Sequence, residues 1–282
     1  MIDIKSFGII GGDKRQLYCA RSVADDGYDV CLFGFEQCED TMGLRSVPLK
    51  EMAAHCDAFI MPLPVSKDGK VLNMPFSAVQ VGMNEDLFFL FGNKPLFVGM
   101  KSRLAHQAEN IFDYSTREEF AVENAVPTGE GAIEYAMREY EGTINSSRCL
   151  VAGYGRIGRI LSQMLRGLGA NVTVSARKYS DLAYIRSCGM KAVVTGDFGS
   201  GYDIIFNTIP ELIFDSHTLA GSACGALVID LASLPGGVDF DAAKRLNIKA
   251  IRALSLPGRS APQTSGIIIK NAVYNIIREE NL

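Results

Sequence analysis

The sequence predicts an α/β fold made of two Rossmann-like domains, the C-terminal one a doubly wound parallel sheet. Three observations carry this. Apolar runs of strand length alternate with helical stretches along the chain, the pattern of parallel sheets. A Gly153-Tyr154-Gly155-Arg156-Ile157-Gly158 turn follows one such run and opens a helix. The length of 282 residues fits about two domains.

The elements follow in order. Residues 5–10 form an apolar run that ends in Gly11-Gly12, read as a buried strand and a tight turn. A helix follows, with Leu17, Ala20, Val23 and Ala24 at helical spacing, and Asp26-Gly27 closes it. Further strands are expected at 28–33, 58–61 and 95–98, the middle one ended by Pro62 and Pro64. Residues 1–126 therefore read as one α/β domain. A linking helix is expected over 128–141, with Pro127 before it and Thr128, Glu130 and Glu134 near its start. The second domain, 127–282, has strands at 148–152, 171–175, 192–195, 204–207 and 227–230, and a weaker one at 248–252. Its first helix is expected over 159–168 and its last over 266–278. The last helix carries Ile267, Ile268, Val273 and Ile276 on an apolar face that needs a partner, and is expected to pack back on the first domain.

Composition narrows the function. A net charge of −4 argues against nucleic-acid binding. The most apolar stretch, 87–91, is far too short to span a membrane. The seven cysteines show neither CxxC nor zinc-site spacing, so reduced, mostly buried thiols and no metal site are expected. The first residues carry no signal-peptide pattern, so a soluble, cytoplasmic protein is expected.

The glycine turn carries the chemistry. Gly153 permits the tight turn, Gly155 lets a cofactor pyrophosphate approach the backbone, and Gly158 lets helix and strand pack closely. The helix start, with Tyr154, Arg156 and Ile157, then presents N–H groups to the phosphates. The second strand ends in Ser175-Ala176-Arg177-Lys178, with no carboxylate to repel a 2′-phosphate and two cations to bind it. NADP is therefore favoured over NAD; the alternative is that Arg177 and Lys178 merely solvate a loop. Asn207, Thr208 and Pro210 at one strand end, and Asp230 at another, are expected to face the nicotinamide half. Asp230 could instead be a turn or capping carboxylate. His55, His106 and His217 lie in no motif for proton transfer, so no catalytic acid or base is assigned.

Other segments resemble the A subunit of dipicolinate synthase. They are 11–16 (Gly11-Gly12-Asp13-Lys14-Arg15-Gln16), 62–69 with Asn73 and Pro75, 124–133, and 256–266 around Pro257-Gly258-Arg259. With the glycine turn they cover the chain from end to end. One departure is Gly129, where alanine is expected; both residues are small.

The resemblance implies an enzyme that makes dipicolinate in the cytoplasm of the mother cell of a spore-forming bacterium, together with a flavoprotein-like B subunit. Its substrate comes from 4-hydroxy-tetrahydrodipicolinate of the lysine pathway, or the dihydrodipicolinate formed from it. An oligomer, of this chain alone or with the partner, is expected. Such chemistry needs a cofactor to accept hydride and cations to hold a small dicarboxylate. Arg15, Asp13, Thr128 and Arg259 are the candidate substrate contacts. The alternatives are another 2-hydroxy acid or amino acid dehydrogenase, and a non-catalytic NADP-binding subunit.

Overall fold

The computed structural model describes residues 4–104, 108–223 and 225–282. Its chain forms two compact units, Met1–Asn124 with Ala261–Leu282, and Ala125–Ser260. The sequence reading divides the chain at 126 and runs the second domain to residue 282. The C-terminal helix, expected from the sequence to pack back on the first domain, groups with the first unit, and its apolar face joins that unit's core.

The first unit holds a six-stranded parallel sheet. Its strands are β1 (Ser6–Ile10), β2 (Asp29–Phe33), β3 (Arg45–Ser46), β4 (Ala58–Ile60), β5 (Leu96–Val98) and β6 (Ile111–Asp113). They lie in the order β3-β2-β1-β4-β5-β6, with Gly8 of β1 opposite both Cys31 and Phe59. Phe7, Ile9 and Ile10 are all fully buried, as expected of a strand covered on both faces. The helix Lys14–Asp25 is started by a capping box of Asp13 and Gln16. Against it lies the helix Pro262–Glu280, which begins four residues before the sequence suggests, with proline in its first turn. The two approach so closely that a Cβ on Gly266 would stand 2.5 Å from the Arg15 carbonyl oxygen. Ile268, Ile269, Ala272, Val273 and Ile276 share one core with Leu17, Ala20 and Val23. Ile267, assigned to that face from the sequence, is 38% exposed.

The second unit holds another six-stranded parallel sheet. Its strands are β7 (Arg148–Ala152), β8 (Asn171–Ala176), β9 (Lys191–Val194), β10 (Ile204–Asn207), β11 (Leu227–Asp230) and β12 (Ala250–Arg252). The order β12-β11-β10-β7-β8-β9 reverses direction between β7 and β10. In open parallel sheets, a crevice for ligands lies outside the carboxyl ends of the strands at such a reversal. The helix Ala125–Glu139 starts three residues earlier than expected, because proline is tolerated in a first turn. Its Ala132, Ile133 and Ala136 pack in one core with Leu161, Leu165 and Leu256.

No helix among the described residues is long and apolar enough to cross a membrane. Among the same residues no group of three or more His, Cys, Asp or Glu could hold a metal ion. The six cysteines among the described residues are free thiols. Cys224 and His106 lie outside the described residues.

Candidate functional site

The reversal of strand order puts the turn after β7 beside the turn after β10. Each glycine of 153–158 has a distinct steric role. Gly153 has φ of +102°, and a Cβ there would meet Thr208 Oγ1 at 2.4 Å. A Cβ on Gly158 would stand 2.1 Å from the Gly153 carbonyl oxygen. Gly155 is exposed, and a Cβ there would meet nothing within 4 Å. The helix opens directly from this turn, as Arg156–Gly167 rather than from residue 159. Gly155 is its N-cap, and no side chain caps it. First-turn amides have no acceptor inside a helix, and the helix dipole adds positive potential there.

These atoms line a cavity of about 640 Å³. Its walls are residues 153–157, Arg159, Ala176, Arg177, Lys178, Asp181, Thr195 and the 208–211 segment with Ile213. Thr208 donates its hydroxyl to the Ala152 carbonyl at 2.9 Å, tying the end of β10 to the end of β7. Arg177 and Lys178 are exposed at the end of β8. Tyr154 is largely buried, and burial pushes its phenol above the ordinary range.

Three residues that the sequence assigns to the cofactor are fully buried and bonded within the strand-end turns. Ser175 is fully buried and accepts from the Gly153 N–H at 3.2 Å and the Thr195 hydroxyl at 3.3 Å. Asn207 donates to Asp230 Oδ1 at 2.8 Å and to the Ile209 carbonyl at 3.0 Å, while its own oxygen accepts from the Ile209 N–H at 3.1 Å. Asp230, also fully buried, accepts from the Ala232 and Gly237 N–H groups at 3.3 and 3.1 Å. None of the three lines the cavity. They shape the strand-end turns on which the cavity stands.

The substrate candidates differ in environment. Arg15 is 8% exposed. Its Nε and Nη2 donate to Asp13 at 2.9 Å each, and Nη2 also reaches the Leu63 carbonyl at 2.6 Å. The guanidinium is thus clamped along one edge. Thr128 is buried in the first turn of Ala125–Glu139. Arg259 is exposed and donates to the Tyr135 hydroxyl at 3.3 Å. A Cβ at Gly129 would meet only the flexible Met164 side chain within 3 Å, consistent with either small residue there.

Arg159, Asp181 and Thr195 line the cavity although no motif marks them in the sequence. His55, at a helix end, and His217, in an exposed first turn, do not line it.

Comparisons with known proteins agree with this architecture. Residues 6–110 match the family model for the N-terminal domain of the dipicolinate synthase A subunit. The chain is 32% identical over 286 aligned residues to the dipicolinate synthase A subunit of Bacillus subtilis, covering 96% of this chain and 95% of that protein. A crystal structure of the dipicolinate synthase A chain from Bacillus subtilis superposes with TM-score 0.86 at 30% identity, covering 100% of this chain and 98% of that one. A crystal structure of the dipicolinate synthase A subunit from Bacillus halodurans gives TM-score 0.86 at 29% identity over 98% of this chain and 99% of that one. The chain belongs to the family of dipicolinate synthase A subunits.

Proposed function

We propose that this chain binds NADP in the cavity of the second unit and oxidises dihydrodipicolinate to dipicolinate, as the A subunit of a dipicolinate synthase. The single observation that carries the cofactor reading is Gly155. It is a bare backbone at an uncapped helix start, opening on a cavity at the point where strand order reverses. The amides of this turn, with Tyr154, Arg156 and Ile157 around them, hold the pyrophosphate. Arg177 and Lys178 take the 2′-phosphate, and no carboxylate ends β8 to repel it. Thr208 and Pro210 border the nicotinamide half.

When bound, NADP+ would accept the hydride that the substrate ring loses as it becomes aromatic, with one proton released alongside. The protein's task is then to orient a flat dicarboxylate and keep its charges paired. Arg15, fixed by Asp13, is one proposed carboxylate holder; Thr128 and Arg259 are the others. Family membership supports a partner in the form of a flavoprotein-like B subunit, a substrate from the lysine pathway, and action in the cytoplasm of the mother cell. A second reading, an NADP-binding subunit whose partner does the chemistry, is favoured by one observation: the cavity walls carry no histidine among the described residues.

Calorimetric titration of NADP+ and NAD+ tests the cofactor reading. Tighter NADP+ binding is expected, and Arg177→Ala should cost about 1–3 kcal/mol of it, the usual loss for a charge-assisted hydrogen bond, with NAD+ nearly unchanged. Equal affinities, or a preference for NAD+, would overturn it.

A further inference from the structure

We infer that Arg159 is a specificity-determining residue that masks the charge of Asp181 so that the cavity rim accepts a 2′-phosphate. The inference rests on the NADP reading above. Asp181 lines the same cavity as Arg177 and Lys178, and sits in the first turn of the helix Tyr179–Ser187, whose N-cap is Lys178. It is therefore within one helical turn of the two rim cations. Chains that bind NAD carry an acidic residue a few positions earlier, at the end of the second strand, to hold the ribose 2′-hydroxyl, and a carboxylate as near to that place as Asp181 repels a phosphate.

In this structure the charge is not left bare. Arg159 Nη2 donates to Asp181 Oδ1 at 3.1 Å. Its Nε donates to the Tyr154 carbonyl at 3.2 Å, and its guanidinium carbon lies 5.0 Å from the centre of the Tyr154 ring. The guanidinium is thus held against the phosphate turn and delivers its charge at a fixed place. The pair is partly solvated, with side-chain exposures of 57% for Arg159 and 25% for Asp181. Solvated pairs contribute little to stability. Charge cancellation at the cavity wall is then the larger consequence of this contact.

The test is titration of NADP+ and NAD+ into the full chain and into Arg159→Gln, Arg159→Lys, Asp181→Asn and the Arg159→Gln/Asp181→Asn double variant, at low and physiological ionic strength. Circular dichroism checks that each is folded. Arg159→Gln should weaken NADP+ roughly three- to tenfold at low salt, less in higher salt, and NAD+ by no more than about twofold. Arg159→Lys should stay close to wild type. The double variant should match Asp181→Asn, which should bind NADP+ at least as well as wild type. Unchanged NADP+ affinity in Arg159→Gln, a loss shared equally by NAD+, or a double variant that is not rescued would each overturn the mask. A selective loss of NAD+ affinity in Asp181→Asn would also overturn it, by making Asp181 a ribose ligand. The wild-type preference between the two cofactors reports separately on the cofactor reading itself.

Discussion

Gly158 lies so close to Gly153 that a methyl group on its Cα would stand 2.1 Å from the Gly153 carbonyl oxygen. That contact joins the first turn of a helix to the end of a strand, and no side chain fits between them. Gly155, two residues after Gly153, faces open space instead. The fold requires Gly158 to lack a side chain; at Gly155 it leaves room for one, and the proposed pyrophosphate contact is what asks for glycine there.

This contrast gives a paired prediction. Gly158→Ala should destabilise the second unit by about 1–3 kcal/mol, the usual cost of forcing atoms into a packed site, and lose cofactor affinity with it. Gly155→Ala has ordinary backbone angles, φ −79° and ψ −161°, so it should melt close to wild type yet bind NADP+ much more weakly. Thermal unfolding and calorimetry on both variants check this. A Gly155→Ala chain that keeps full affinity would contradict the pyrophosphate assignment.

Burial gives a pH prediction. It pushes the Cys19 thiol up to about 12 and the Cys149 thiol up to about 11. In the unfolded chain a thiol ionises near pH 8.5, roughly. Above that pH the unfolded state binds fewer protons than the folded state, so stability falls as pH rises. The contribution is complete below about 8.5 and is lost progressively toward the folded values. Urea unfolding from neutral pH to about pH 10 should show this decline, and Cys19→Ala should flatten its slope, whatever that variant loses in packing. An unchanged slope would mean that Cys19 is not the group responsible.

Most of the buried strands were readable because they are short runs of mainly apolar residues. β3 and β6 were not. Arg45–Ser46 is two exposed polar residues, and Ile111–Asp113 is a three-residue edge strand. Three successive isoleucines, 267–269, cannot reveal in sequence which of them point inward, and the partner helix decided it. The glycine turn was legible because its roles are steric. Asn207, Asp230 and Ser175 are harder to read, and the structure shows each engaged in hydrogen bonds within the fold. A polar residue at a strand end reads as a ligand group until the donors around it are seen. The pair of Arg159 and Asp181 was hidden because it joins two helices separated by a strand.

Arg15 and Arg259 give a kinetic prediction. Arg15→Ala removes a guanidinium already oriented by Asp13 and the Leu63 carbonyl. Its Michaelis constant for the dicarboxylate should rise about tenfold or more, while NADP+ affinity stays near wild type. Arg259→Ala should shift in the same direction, by less, since that side chain is exposed. Normal steady-state kinetics in both would remove them as carboxylate holders. Collapse of NADP+ binding in Arg15→Ala would reassign that residue to the cofactor.

The most direct test of the central claim is absorbance at the reduced-nicotinamide band. The purified chain is incubated with NADP+ and 4-hydroxy-tetrahydrodipicolinate, with and without the partner subunit, and dipicolinate is measured alongside. The expected result is that reduced NADP appears in step with dipicolinate, and that Gly155→Ala abolishes both. Dipicolinate formed with no change at that band, or no dipicolinate even with the partner present, would contradict it.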